Sequence, residues 1–285
     1  MTKVALAGGT GYLGSYIAKE LKKQGFLTTL LVRNSKKLTS LAIPFDHVET
    51  VDVTEKDTLN GVFDDIDVVI STIGITKQQD GKTYLDVDYQ ANINLMEQAL
   101  KAGVKKFIYV SALNGEKLTE LKICAAKEKF VNSLKLSGLE YCIIRPNGFF
   151  SDLGEFHKMA RNGRVYLFKN GEQKTNPIHG ADLAEVCVDA IHSAEIEVKV
   201  GGPDLLTHNQ IARLAFNAVG KPIKITYISD WVRNLILYVI RICLSSKKYG
   251  PIEFFLSVLA IDMVAPLYGK KHLADYYHEL NSSSD

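Results

Sequence analysis

Lys3-Val4-Ala5-Leu6-Ala7-Gly8-Gly9-Thr10-Gly11-Tyr12-Leu13-Gly14 opens with an apolar run, breaks at Gly8, Gly11 and Gly14, and then takes up a helical pattern. A first β-strand that turns directly into a helix has this form. Gly8 permits the tight turn, Gly11 lets backbone approach an anion, and Gly14 removes a side chain where helix packs on strand. The helix N-terminus adds unpaired N–H groups and a partial positive charge. Together these features predict a cradle for a dinucleotide pyrophosphate, lined by Gly8, Thr10, Gly11, Tyr12, Leu13 and Gly14.

Strands and helices alternate beyond this turn. A helix is expected from Gly11 to Gly25, with Gly25 as its terminating glycine. Strands are expected at Thr28–Val32, His47–Val51, Asp67–Ser71, Lys106–Ser111 and Tyr141–Arg145. Between them come a helix capped at Thr54-Glu55-Lys56-Asp57 and running to Phe63, a long helix Asp86–Ala102 and a helix Glu120–Leu136. Repeated βα units imply right-handed crossovers, hence an α/β fold with a doubly wound parallel sheet. Ligands on such sheets bind beyond the carboxyl ends of the strands, so the informative residues should follow each strand.

Arg33 follows the second strand, with Lys36 and Lys37 behind it. An acidic residue at this point selects the free ribose of NAD, and a cation selects the 2′-phosphate of NADP. Arg33 therefore predicts NADP, with NAD possible; the alternative is a solvated surface arginine. Gly74, after the fourth strand, lets backbone pass close to a ribose or pyrophosphate, or is a plain loop glycine.

The GxxGxxG spacing, with Gly-Gly-Thr-Gly-Tyr-Leu-Gly at its centre, resembles the short-chain dehydrogenase/reductase superfamily. It is similar to the atypical branch of NmrA-like, isoflavone-reductase-like and divinyl-reductase-like proteins, over most of the first ~200 residues. The resemblance implies a Rossmann NAD(P)-binding domain. It implies that Asp52-Val53 meets the adenine. It also places a catalytic Ser at Ser111 and, on the next helix, a Tyr-x-x-x-Lys pair. In Lys122-Ile123-Cys124-Ala125-Ala126-Lys127-Glu128-Lys129-Phe130, Lys127 takes the lysine position and Ile123 the tyrosine position. No tyrosine lies between Leu113 and Glu140. That tyrosine donates the proton in carbonyl reduction, while the lysine binds the nicotinamide ribose. Its replacement argues against carbonyl reduction by that route, and relatives in this branch reduce activated carbon–carbon double bonds or only sense the cofactor. Arg145-Pro146-Asn147-Gly148-Phe149-Phe150 also resembles the branch, which places Pro146, Asn147, Phe149 and Phe150 near the nicotinamide or substrate, with core packing as the alternative for the two phenylalanines. In Asn176-Pro177-Ile178-His179-Gly180-Ala181-Asp182, Asp182 reads as a helix N-cap. His179 reads as structural, with a general acid as the alternative.

The chain of 285 residues reads as a domain over 1–202 and a smaller C-terminal substrate-side lobe over 203–285. In the lobe, a helix starting at Thr207-His208-Asn209-Gln210 and a strand Lys224–Ile228 precede two apolar helices, Asp230–Leu244 and Pro251–Tyr268, and a polar tail Asn281–Asp285. Arg233, Arg241 and Asp262 interrupt the apolar helices, which fall short of the ~20 residues a bilayer requires. Three readings stand: a lid packed on the sheet, an oligomer or partner interface, and a membrane-surface element beside Lys247, Lys248, Lys270 and Lys271. A formal charge of +2 offers no field for nucleic acid. The four cysteines form no CxxC pair, which fits a reducing, cytoplasmic setting and no metal site. With the first strand starting at Lys3, no secretory leader is expected. A monomer or homodimer is expected. Two functions remain open: an NADP(H)-dependent oxidoreductase acting on an apolar small molecule, and a catalytically silent cofactor-binding sensor or assembly protein.

Overall fold

The computed structural model describes residues 1–35, 38, 42–75 and 81–282, and of 246–248 only the backbone. Lys36 and Lys37 lie outside the described residues, as do the side chains of Lys247 and Lys248. The described residues form two compact units, 1–145 with 183–198, and 146–182 with 199–285. The chain thus changes unit after Arg145, Asp182 and Val198, whereas the sequence reading draws one boundary after residue 202.

The first unit is built on a seven-stranded sheet. Its strands are β1 (Lys3–Ala7), β2 (Leu27–Val32), β3 (His47–Thr50), β4 (Val68–Ser71), β5 (Lys106–Val110), β6 (Glu140–Pro146) and β9 (Glu197–Val200). They lie in the order β3-β2-β1-β4-β5-β6-β9, so the order reverses between β1 and β4. Ala7 stands in parallel register with Leu31 on one side and Ser71 on the other. β4 and β5 are buried throughout, as parallel strands covered on both faces must be. Helix α1 (Tyr12–Lys23) buries Ile17, Ala18 and Leu21 completely, and Gly25 follows it at φ 80°, a left-handed conformation that suits glycine.

Two helices of this unit depart from expectation. The segment expected to run to Phe63 is one 3-10 turn, Lys56–Leu59, stopped by extended Asn60 and by Gly61 at φ 75°. The expected Asp86–Ala102 helix is a π-helical segment, Leu85–Ala91, that continues as α2 (Asn92–Lys101). At their junction the buried Asn92 amide donates to the carbonyls of Asp88 (3.0 Å) and Ile73 (3.3 Å). π-Helical turns of this kind gather at functional sites. Helix α3 (Lys122–Lys135) follows β5 as expected.

The second unit has its own apolar core, which includes Phe150, Phe156, Leu167, Ile211, Phe216, Leu273 and Tyr277. It contains α4 (Gly154–Arg161), β7 (Val165–Phe168), β8 (Lys174–Thr175), β10 (Leu206–Thr207), α6 (His208–Ala218), β11 (Ile225–Ile228), α7 (Asp230–Cys243), α8 (Ser246–Val258) and α9 (Leu273–Ser282). Helix α5 (Gly180–Asp189) begins in this unit and ends in the first. Thr207 and Gln210 form a reciprocal capping box at the start of α6.

The sequence expectations here need three corrections. Asp182 is not an N-cap; it lies within α5, and its Oδ2 accepts the backbone N–H groups of Lys270 (3.0 Å) and Lys271 (2.9 Å). The start of α5 is served instead by His179, whose Nδ1 accepts from the Ala181 N–H at 3.1 Å. The second apolar helix runs from Ser246 to Val258 with Pro251 inside it, and the following chain pairs with other segments: Met263 N–H donates to the Lys174 carbonyl at 2.8 Å. Asn281 and Ser282 belong to α9 and are not a frayed tail; residues 283–285 lie outside the described set.

The apolar surface of α7 is largely in water. Leu237 is its one buried residue, while Trp231 (67%), Tyr238 (63%) and Ile242 (66%) are exposed. No helix among the described residues is long and apolar enough to cross a membrane.

Candidate functional site

The glycine turn after β1 behaves as its sequence requires. Gly8 has φ 87°, and a Cβ there would strike the Thr72 hydroxyl. A Cβ on Gly14 would come within 2.7 Å of the Gly8 carbonyl carbon and 2.8 Å of Gly9 Cα. Gly11 N–H donates to the Gly8 carbonyl at 2.9 Å, and α1 starts at Tyr12 with no side chain capping it. Its first N–H groups are therefore presented by a turn that only glycine can form.

A cavity of about 360 Å³ opens at the switch point between β1 and β4. Gly8, Thr10, Gly11, Arg33, Asp52, Val53 and Gly74 line it, so seven of the residues expected from sequence come together there. Tyr12, Leu13 and Gly14 sit behind the turn in α1, where Leu13 and Gly14 are buried. Thr54, Thr72, Ile73 and Lys82 also line the cavity and were not expected. Thr72 shows itself only through the Cβ-free Gly8, and Lys82 only through the fold. The Lys82 ammonium bonds the Thr54 hydroxyl and lies 3.6 Å from Asp52. Asp52 also accepts from the Thr54 N–H at 3.0 Å and hydroxyl at 2.7 Å. Burial pushes its carboxyl pKa up, but Thr54, Lys82 and Arg33 outweigh this and hold it below the ordinary value.

Lys127 projects from α3 toward Asp88 of the π-helical segment. Its Nζ lies 3.1 Å from Asp88 Oδ1 and 5.5 Å from the Tyr109 ring centre. The Asp88 side chain is fully buried and that of Lys127 is 12% exposed. Gly74 connects this pair to the cavity, because a Cβ at Gly74 would lie 2.7 Å from Asp88 Oδ1 and 2.8 Å from Lys127 Nζ. Burial works against the Lys127 ammonium, yet Tyr109 and Asp88 hold its pKa above the ordinary lysine value. Ile123, at the tyrosine position, is buried.

Ser111 stands elsewhere. Its hydroxyl donates to Glu128 Oε1 at 3.3 Å and accepts from Arg145 Nη1 at 3.5 Å. Arg145 forms a two-pronged bond to Glu128, at 2.6 and 2.9 Å, and its Nε lies 3.1 Å from Glu197. Pro146, Asn147 and Phe149 belong to the second unit. The Asn147 amide donates there to Asn176 (2.7 Å) and to the Met263 carbonyl (2.6 Å). Phe149 is half-buried and Phe150 lies in the core.

A parallel, doubly wound sheet with a glycine cradle at its switch point defines a nucleotide-binding domain of the Rossmann type. The profile of an NAD(P)H-binding family matches residues 8–194, and the chain belongs to that family. It is 28% identical to a divinyl chlorophyllide a 8-vinyl-reductase of Cucumis sativus, over 99% of this chain and 76% of the relative. It is 26% identical to the photosystem II assembly factor Ycf39 of Synechocystis, over 68% of this chain and 59% of the relative. Among solved structures, the NADPH complex of the Escherichia coli quinone oxidoreductase QOR2 superposes with a TM-score of 0.72 at 19% identity, over 97% of this chain and 99% of that one. AtPrR2 with NADP+ and (+)-pinoresinol superposes with a TM-score of 0.78 at 16% identity, over 98% of both chains. The chain is thus a member of an NAD(P)-binding, oxidoreductase-like family that has reductases among its relatives.

Proposed function

We propose that the protein is an NADP(H)-dependent reductase that delivers hydride to an apolar small molecule without a tyrosine acid. The observation that carries this reading is Lys127, buried against Asp88 beneath Gly74, whose other face borders the switch-point cavity. Burying an ammonium is costly unless it is paired, and Asp88 pairs this one at 3.1 Å. NADPH, when bound, supplies the hydride. The chain's residues bind and orient it. The turn at Gly8, Gly11 and Gly14 holds the pyrophosphate, Arg33 pairs with the 2′-phosphate, Asp52 and Val53 meet the adenine, and Lys127 donates to the nicotinamide ribose. With Ile123 at the tyrosine position, the site favours a substrate whose acceptor carbon is already activated by conjugation. The Ser111 hydroxyl, engaged by Glu128 and Arg145, fits a role in shaping the end of β5. The exposed apolar face of α7 suits an apolar ligand or partner.

Ile123 also favours a second reading, a cofactor-binding protein without turnover, and one relative is named as an assembly factor. Incubation with NADPH and a panel of enones and quinones separates the two. The reductase reading predicts NADPH oxidation with at least one acceptor, and Lys127→Ala lowering that rate far more than it lowers the melting temperature. Tight NADPH binding with no oxidation across the panel supports the silent reading instead.

A further inference from the structure

The reading above uses Asp88 only as the partner of Lys127, yet it is the most completely buried carboxylate at the site. Its side chain has no exposure, and three structural elements converge on it. Its Oδ2 accepts the Ile75 N–H at 3.2 Å, which anchors the loop after β4. Its Oδ1 faces Lys127 of α3 at 3.1 Å. Its own carbonyl accepts from the Asn92 amide at 3.0 Å. Gly74 leaves the space in which carboxylate and ammonium meet.

Tyr109 and Asp88 both hold the Lys127 pKa up, and Asp88 is the carboxylate in contact with the ammonium. Burial pushes the Tyr109 phenol of β5 up to about 12, and the Cys124 thiol on α3 likewise to about 12. Both are neutral at physiological pH. Glu128, the neighbour of Lys127 in sequence, is held by Arg145.

We infer that Asp88 is a positioning residue: its carboxylate fixes the Lys127 ammonium beside Gly74, which lines the cofactor cavity, and keeps it charged. Resting on the reading of Lys127 as a cofactor-binding residue, this adds what holds the lysine where the tyrosine position is apolar. A buried ammonium that loses its counter-ion becomes a weaker base. Asp88→Asn retains shape and an oxygen for the Ile75 N–H but removes that charge. Burial likewise raises the Asp88 carboxyl above its ordinary value, against the pull of Lys127.

The test is NADPH affinity, read by fluorescence titration, for wild type, Asp88→Asn, Asp88→Glu and Lys127→Ala. Wild type should bind equally well at about pH 7 and about pH 9.5, because its ammonium keeps its proton throughout. Asp88→Asn should lose about tenfold in affinity across the same interval, as its lysine deprotonates. Asp88→Glu, which keeps the charge, should restore a flat profile. Lys127→Ala should bind more weakly at both pH values with no added slope. Asp88→Asn with a flat profile, or Asp88→Asn and Asp88→Glu with the same profile, would overturn the assignment. Lys127→Ala binding like wild type would instead overturn the reading of Lys127 itself. If Asp88→Asn fails to fold, the double variant Asp88→Asn/Lys127→Met decides. Recovered folding shows that the stranded ammonium was the fault and supports the pair, and persistent unfolding counts against it.

Discussion

Arg145 is 2% exposed, and its guanidinium is shared between Glu128 and Glu197, with Glu116 3.6 Å away. Replacing one partner of such a pair leaves buried charge without compensation, which costs roughly 3–5 kcal/mol. Arg145→Leu should therefore lower the unfolding free energy by an amount of that order, measured by urea titration. A loss below about 1 kcal/mol, the usual range for surface pairs, would show that the network is not holding the fold. The same network explains what a residue-by-residue reading of the sequence could not reach. Ser111 occupies a strand-end position that fits catalysis, but its hydroxyl is taken by Glu128, 17 positions away, and by Arg145, 34 positions away. Asp88 was equally illegible, since nothing in Asp86-Val87-Asp88 marks which carboxylate meets Lys127. By contrast Gly8, Gly11 and Gly14 were readable, because their constraint is local backbone sterics and appears in the spacing itself.

At the scale of elements, α6 begins with His208, which is 3% exposed. Burial lowers its pKa from 6.5 to about 4, with Asp262 opposing only in part. The sign follows from proton uptake. Between these two pKa values the unfolded chain binds a proton that the folded imidazole refuses, so stability is present above the unfolded value and is lost as pH falls. The loss approaches about 3 kcal/mol by the lower end of that window. His208→Gln should flatten this part of the pH dependence of the melting temperature relative to wild type, and superimposable pH profiles would contradict it. Elements with clear periodicity and terminal glycines were legible, among them α1, α3 and the five inner strands of the first unit. The π-helical turn was not, and its buried Asn92 amide bonds the Ile73 carbonyl on another element, a contact that leaves no mark on local sequence. The chain after Val258 was misread as helix because its apolar residues continue. It pairs instead with Lys174 and Gly201, and neither pairing leaves a mark on local sequence. On α7 the apolar stripe was legible, and Trp231, Leu235 and Ile242 on it are at least half exposed, as any of the three readings of the stripe leaves room for.

At the scale of the whole molecule, the chain contributes residues 146–182 and 199–285 to its second unit, a division made by contacts between distant segments. Sequence reading reached the sheet and the nucleotide cavity because the ligand edge of a doubly wound sheet is built from residues that follow each strand directly. It placed Arg33, Asp52 and Gly74 around Gly8 and Gly11, and all five line one cavity. It did not find Lys82, which comes from farther along the loop after β4. The overall charge of +2 leaves recognition of the cofactor's phosphates to such placed groups and not to a general field. The account's central claim is that this cavity is built for NADP(H), with Arg33 on the 2′-phosphate. Titration of wild type and Arg33→Ala with NADPH and with NADH tests it directly. Wild type should prefer NADPH. Arg33→Ala, by losing a charge-assisted contact, should weaken NADPH roughly tenfold or more while leaving NADH nearly unchanged. Wild-type preference for NADH, or an equal loss for both cofactors in the variant, would contradict the account.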